Sequence, residues 1–231
     1  SGSVHTSERE RLGAIVLAER PLRSADATRV AAVLRDALAQ AGVDALPWSE
    51  SARRTRERLG FLHALEPERW PDVSDEALAA TLDEWLGPSL TGMRRRDEVA
   101  RLDLGALLLD RVPWEQRRRL DELAPTHVAV PSGSRLPVDY AAPEAPALRV
   151  RLQEMFGLAD GPRVGGGRVP LTLHLLSPAQ RPVQVTRDLA GFWRSSYFDV
   201  RRELRGRYPR HHWPENPMEA EATARAKRRG G

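Results

Sequence analysis

The sequence predicts an α+β chain: an N-terminal helical array, then a small antiparallel β-sheet or barrel closed by a C-terminal amphipathic helix. Three observations predict it. From Asp26 to Leu123 apolar residues recur at spacings of three and four, the period of a helix with one buried face. At Thr126 the spacing drops to two, the period of a half-buried strand. At Leu189 the helical period returns.

The elements follow in order. Leu12–Leu22, LGAIVLAERPL, carries the β-branched pair Ile15–Val16 and a stop at Pro21, and reads as a single strand. A lone strand does not hold itself together, so it is expected to be an orphan from an upstream domain. Ser1-Gly2-Ser3 ahead of it reads as a cloning remnant. Asp26 caps a helix through Val30, Val33, Leu34, Ala37, Leu38 and Ala41, with Gly42 as its stop. A second runs from Ser49 to about Leu65 on Leu59, Leu62 and Leu65. Ser74 caps a third on Ala77, Leu78, Leu82, Trp85 and Leu86. Asp97–Asp110 and Pro113–Leu123 supply two more, the last opening on proline, whose missing N–H costs nothing there.

Two strands are then expected within Thr126–Tyr140, about the turn Pro131–Ser134. Leu148, Val150 and Leu152 alternate with Arg149 and Arg151, and Val169–Leu176 and Val183–Thr186 complete about five short antiparallel strands. The closing helix is Leu189 to about Arg205. The expected organisation is thus 1–22 as remnant and orphan strand, 23–125 helical, 126–217 β-rich, and 218–231 a disordered tail.

Composition excludes several functions. Hydrophobic residues are 41% and charged residues 29% of the 231, the balance of a folded chain. No run of about 18 apolar residues exists to span a membrane, and the first ten residues lack the apolar core of a signal peptide. Cysteine is absent, which removes disulfides, thiolate ligands and thiol nucleophiles and points to the cytoplasm. Lys227 is the one lysine and is followed by arginine. A P-loop needs Gly-Lys-Ser/Thr to reach the terminal phosphates, so no such ATP site is present.

The charge is unevenly spread. Residues 1–125 hold 19 arginines against 22 carboxylates, a net of −3, and residues 126–231 hold 17 basic against 10 acidic groups, a net of +7. The second half is therefore the candidate for an anionic partner.

Gly165-Gly166-Gly167 lies between strands with no helix to supply a dipole, so it reads as a hairpin loop. Asp75-Glu76-Ala77-Leu78 approaches a DEAH box but lacks the histidine and opens a helix, so its carboxylates read as capping. His5, His63, His127, His174, His211 and His212 show no zinc spacing, and no metal site or catalytic residue is expected.

The closing helix carries more. Leu189, Phe192, Trp193, Tyr197, Val200 and Leu204 form one face. Arg194, Arg201 and Arg205 lie within about 40° of one another on a second face. Arg202 extends that stripe and Phe198 falls inside it, so the ring could stack on an unpaired base while the arginines hold phosphates. Alternatively Phe198 packs on the sheet and the arginines pair with Asp199 and Glu203. Tyr208, Trp213 and Pro214 are read as a staple, because the adjacent prolines hold an extended path. Trp48, Trp70, Trp85 and Trp114 are candidates for a surface that anchors a protein partner.

LLSPAQRPVQVTRDLAGFW (Leu175–Trp193) and SYFDVRRELRGRYPRHHWPENP (Ser196–Pro217) closely resemble the C-terminal signature of the HrpB family, bacterial ATP-dependent helicases of the DEAH-box class. VPSGSR, ALRVRLQEMFG and GRVPL earlier in the chain are similar to it too, and LPW at Leu46–Trp48 less tightly. The resemblance implies a parent with two motor domains upstream that bind ATP and magnesium. None of their residues has a matching position here. The chain is therefore expected to be a C-terminal fragment, inactive alone, with no cofactor of its own. It would assist the upstream helicase domains by touching single-stranded RNA or DNA or by anchoring them. The alternative is a protein-interaction or structural module with no nucleic-acid contact and no membrane.

Overall fold

A computed structural model describes residues 7–12, 15–21, 27–93 and 96–224. Ser1–Ser3, Leu22, the cap Asp26, Lys227 and the rest of 225–231 lie outside the described residues. The chain divides into two compact units, residues 1–59 with 70–113 and residues 60–69 with 114–231. Among the described residues no helix is long and apolar enough to cross a membrane.

The first unit opens with β1 (Ser7–Leu12) and β2 (Ile15–Pro21), paired antiparallel with a bulge between Glu10 and Arg11. The expected orphan strand is thus one arm of a hairpin. Its partner is the charged run Ser7–Leu12, which has no apolar alternation to announce it.

α1 (Ala27–Ala41) buries Val30, Leu34 and Leu38, one residue per turn, while Val33 faces out. Gly42 ends it at φ 84°, a conformation that favours glycine. α2 (Glu50–Leu65) starts where Ser49 Oγ accepts the Ala52 amide. Glu50–Leu59 belong to the first unit and Gly60–Leu65 to the second.

The helix expected from Ser74 to Leu86 is two, α3 (Asp75–Ala80) and α4 (Leu82–Trp85). Ser74 Oγ accepts the Ala77 amide as read from the sequence. The break comes from Thr81, whose hydroxyl donates to the Ala77 carbonyl at 2.7 Å and competes with the helix's own ladder. The helix expected over 97–110 likewise splits into α5 (Arg96–Val99) and α6 (Leu104–Asp110), because Asp103 recaps the chain by accepting from Ala106 N–H. Gly105 of α6 passes so close to α2 that an added Cβ would sit 3.2 Å from Ala52 Cα.

Trp48, Trp70 and Trp85, expected on the surface, are buried. Trp48 and Trp85 stack at 6.3 Å and donate their indole N–H groups to Val43 O and Leu78 O. An indole that finds an acceptor loses the reason to stay wet.

The second unit begins with α7 (Trp114–Leu123), followed by β3 (His127–Ala129), β4 (Arg135–Asp139) and β5 (Ala147–Arg151). A 3-10 turn at Leu152–Met155 leads to β6 (Arg163–Val164), β7 (Val169–Pro170), β8 (Thr172–Leu176) and β9 (Pro182–Thr186). The main sheet runs β3-β4-β5-β8-β9, and β6–β7 form a separate pair.

The expected antiparallel sheet or barrel is corrected on two points. β5 and β8 pair in parallel, and the sheet is open, with β3 and β9 as its edges. The parallel pair follows from the crossover 152–171, long enough to bring the chain back to its starting end.

Leu148, Val150, Leu173 and Leu175 fill one face of the sheet. The closing helix is also two, α8 (Leu189–Arg194) and α9 (Tyr197–Arg207). Its break has the same cause as that at Thr81: Ser195 Oγ donates to Gly191 O, four residues back, at 2.7 Å.

Part of the expected disordered tail is described, and it is bonded. Thr223 N–H donates to Gln153 O.

Candidate functional site

The site proposed from the sequence sits on α8, α9 and the segment after them, all within the second unit. Asp188 starts α8 by accepting the Gly191 amide at 2.7 Å. Gly191 is required there, since a Cβ would lie 2.1 Å from Asp188 Oδ2. Phe192, Trp193, Tyr197 and Phe156 form an aromatic cluster with ring separations between 5.0 and 6.2 Å. Trp193 Nε1 donates to Leu158 O, so the ring is buried with its polar edge satisfied.

On α9 the residues Tyr197, Val200, Arg201 and Leu204 share the inner side. Tyr197 is fully buried, which pushes its phenol up, and its hydroxyl donates to Pro214 O at 2.8 Å. Arg201 Nε donates to Trp213 O at 3.0 Å, and Nη2 reaches Glu215 Oε1 at 3.4 Å. Trp213 is buried and its indole donates to Tyr208 O at 2.9 Å. Tyr208–Glu215 thus lies against α9 through two hydrogen bonds to backbone carbonyls, from Tyr197 and Arg201, and the Arg201–Glu215 ion pair, while the Trp213 indole closes the segment on itself.

The predicted arginine stripe does not survive intact. The break at Ser195 takes Arg194 off the α9 wheel, and Arg201 is committed to the strap after α9. What remains together is Phe198, Arg202 and Arg205, within about 60° on the outer side. Phe198 is 47% exposed and touches Tyr197 edge-on instead of packing on the sheet. Arg202 pairs with Asp199 at 3.2 Å while remaining open to solvent. Arg194 and Arg205 are exposed and have no ion pair among the described residues. Glu203 pairs with Arg207, not with the stripe.

The histidines do not converge. His211 packs edge-on against Tyr208, and burial, aided by the charge of Arg151, holds its pKa below the usual value. His212 packs edge-on against Phe156. No group of three or more His, Asp or Glu able to hold a metal occurs among the described residues. Sequence reasoning missed the inward turn of Arg201, and the only available signal was its place on the same wheel face as Tyr197 and Leu204.

Comparison with known proteins covers this region. The family described as "ATP-dependent helicase C-terminal" matches residues 85–217. The ATP-dependent RNA helicase HrpB of Escherichia coli (strain K12) is 39% identical over 228 residues, 98% of this chain and 28% of that protein. Two crystal structures are similar. The E. coli DExH-box NTPase HrpB superposes with a TM-score of 0.79 at 39% identity, covering 95% of this chain and 27% of that one. The E. coli DEAH/RHA helicase HrpB gives 0.67 at 38%, covering 90% and 26%. The chain therefore spans little more than a quarter of the relatives it matches.

Proposed function

The chain belongs to the HrpB family of ATP-dependent helicases, as its C-terminal region, and from that premise we propose that it is a non-catalytic accessory module that helps the helicase hold single-stranded nucleic acid. The observation that supports the reading is the outer side of α9. There a half-exposed ring, Phe198, shares the outer side of the helix with two solvent-open arginines, Arg202 and Arg205. Rings of this kind stack on any base while arginines hold phosphates, which gives grip without sequence preference.

ATP hydrolysis belongs to the rest of the helicase in this reading, together with its ATP and magnesium. The residues here do not fit those groups. The three glycines join β6 to β7 instead of opening a helix, and Gly165 packs its N–H onto Leu123 O. The partners are the other helicase domains and an RNA or DNA strand in the cytoplasm.

A salt titration of the chain with single-stranded RNA tests the reading. Three available arginines, Arg194, Arg202 and Arg205, give a log K against log salt slope of about −2. The absence of binding at low salt overturns it.

A second reading is favoured by one residue. Trp114 is 72% exposed, whereas the other five tryptophans are buried. A bare indole on a helix is the kind of anchor that seats one domain on another, so α7 would dock a neighbouring helicase domain with no role in strand binding.

A further inference from the structure

The main sheet has a second face, and its chemistry differs from that of α9. Opposite the buried Leu148 and Val150, β5 presents Arg149 and Arg151. The register sets Arg151 beside Leu176, and Leu176 beside Pro182, in one row across three strands. Over this row opens a cavity of about 380 Å³, walled on the β4 side by Leu136 and rimmed by Gln180.

Three features mark the wall and rim of this cavity. Glu154 is 2% exposed, a costly place for a carboxylate. It accepts from Ser132 Oγ at 2.9 Å and from Arg151 Nε at 3.2 Å. The bond to Nε fixes the Arg151 guanidinium and leaves its two terminal nitrogens without an acceptor among the described residues. Arg149, two residues along the same face and about 6.6 Å away, is exposed with no ion pair among the described residues. Gln180 has φ 60°, and it is the non-glycine residue with positive φ among those described. That conformation costs on the order of 1 kcal/mol. It is enforced by the turn bonds Gln180 N–H to Ser177 O and Ser177 N–H to Arg181 O, each 2.8 Å, in a residue that lines the cavity.

We propose that this cavity takes one nucleotide unit of a single strand, its phosphate on Arg149 and the free end of Arg151 and its base on Leu176 and Pro182. The volume lies in the range of small-ligand pockets. Two adjacent guanidiniums match a phosphate better than a single carboxylate. Gln180 offers both donors and an acceptor to a base edge. Glu154 is a positioning residue, acting through Arg151. The proposal rests on the reading that the module meets nucleic acid, but it names a surface separate from α9.

The test is fluorescence anisotropy of the chain with a labelled ten-nucleotide oligouridylate, competed by 5′-UMP, inorganic phosphate or polyglutamate. Arg149→Ala is expected to weaken RNA binding by tenfold or more, as loss of a charged hydrogen bond implies, while leaving the melting temperature unchanged. Glu154→Gln is expected to weaken it less, and Arg149→Lys to restore part of the affinity. UMP is expected to compete, with an affinity that Arg149→Ala lowers and the pair Arg202→Ala/Arg205→Ala does not. If the α9 pair weakens RNA binding and Arg149→Ala does not, the cavity assignment falls alone. Competition by phosphate as strong as by UMP marks a bare anion site, and competition by polyglutamate as strong as by RNA marks an acidic-protein site. Either result overturns the proposal, and a chain that binds no RNA removes both it and the α9 reading.

Discussion

Arg201 and Arg202 are consecutive residues of α9 in opposite surroundings. The Arg201 side chain is 19% exposed and spends its donors on Trp213 O and Glu215, whereas that of Arg202 is 81% exposed and pairs with Asp199. One arginine thus holds the chain to itself and the next is available to something else. The comparison teaches that a basic stripe read from a wheel mixes two populations. Which residue is which depends on whether a strap of carbonyls passes over that side of the helix.

The inner side should answer in stability. Trp213→Ala, which empties the buried end of the strap, is expected to cost about 3–5 kcal/mol in urea unfolding. Arg201→Ala should cost about 1.5–3 kcal/mol before allowance for its partial exposure, and Arg201→Lys should not restore it, because an ammonium cannot span Trp213 O and Glu215 together. Strand affinity should stay unchanged in Arg201→Ala under folding conditions. A tenfold affinity loss there would erase the distinction between the two arginines.

The outer side should answer in binding. Arg205→Ala is expected to alter stability by no more than about 0.5 kcal/mol and to make the RNA salt slope shallower by about 0.7. Trp114 extends the same contrast to α7. It should carry most of the acrylamide-quenchable fluorescence of the chain, and Trp114→Phe should abolish that fraction with little change in melting temperature. Quenching spread evenly over all tryptophans would contradict the burial of the other five.

The smallest effect concerns pH. The His211 pKa is lowered in the folded state by burial and by Arg151, so the unfolded chain binds its proton first. Stability from this group is present above about pH 6.5, the unfolded value, and is lost as pH falls through the folded value. His211→Gln should flatten the melting temperature between pH 7 and 5.

Much of the fold was legible because its signals are local. Ser49 and Ser74 cap the helices expected of them, and Gly42 ends α1 at a positive φ. The switch to period two at Thr126 marks β3 and β4 within a residue or two. The helix breaks at Thr81 and Ser195 escaped notice because a hydroxyl bonding four residues back leaves the apolar period undisturbed. Of the candidate site, the ring and the outer arginines could be read from the wheel, but the loss of Arg201 to the strap could not.

By itself, then, the sequence determined the local grammar: most of the helical and strand segments, several caps and the glycine stop of α1, that no P-loop is present, and that the basic excess lies in the second half. Tertiary structure alone decided that β5 meets β8 in parallel, that Arg201 faces carbonyls while Arg202 faces water, and that Glu154 and Arg151 pair at the wall of a cavity. The physical reason is range. Caps and periods are settled within one or two turns of chain, whereas a buried charge or an open groove exists only when residues far apart in sequence are brought together.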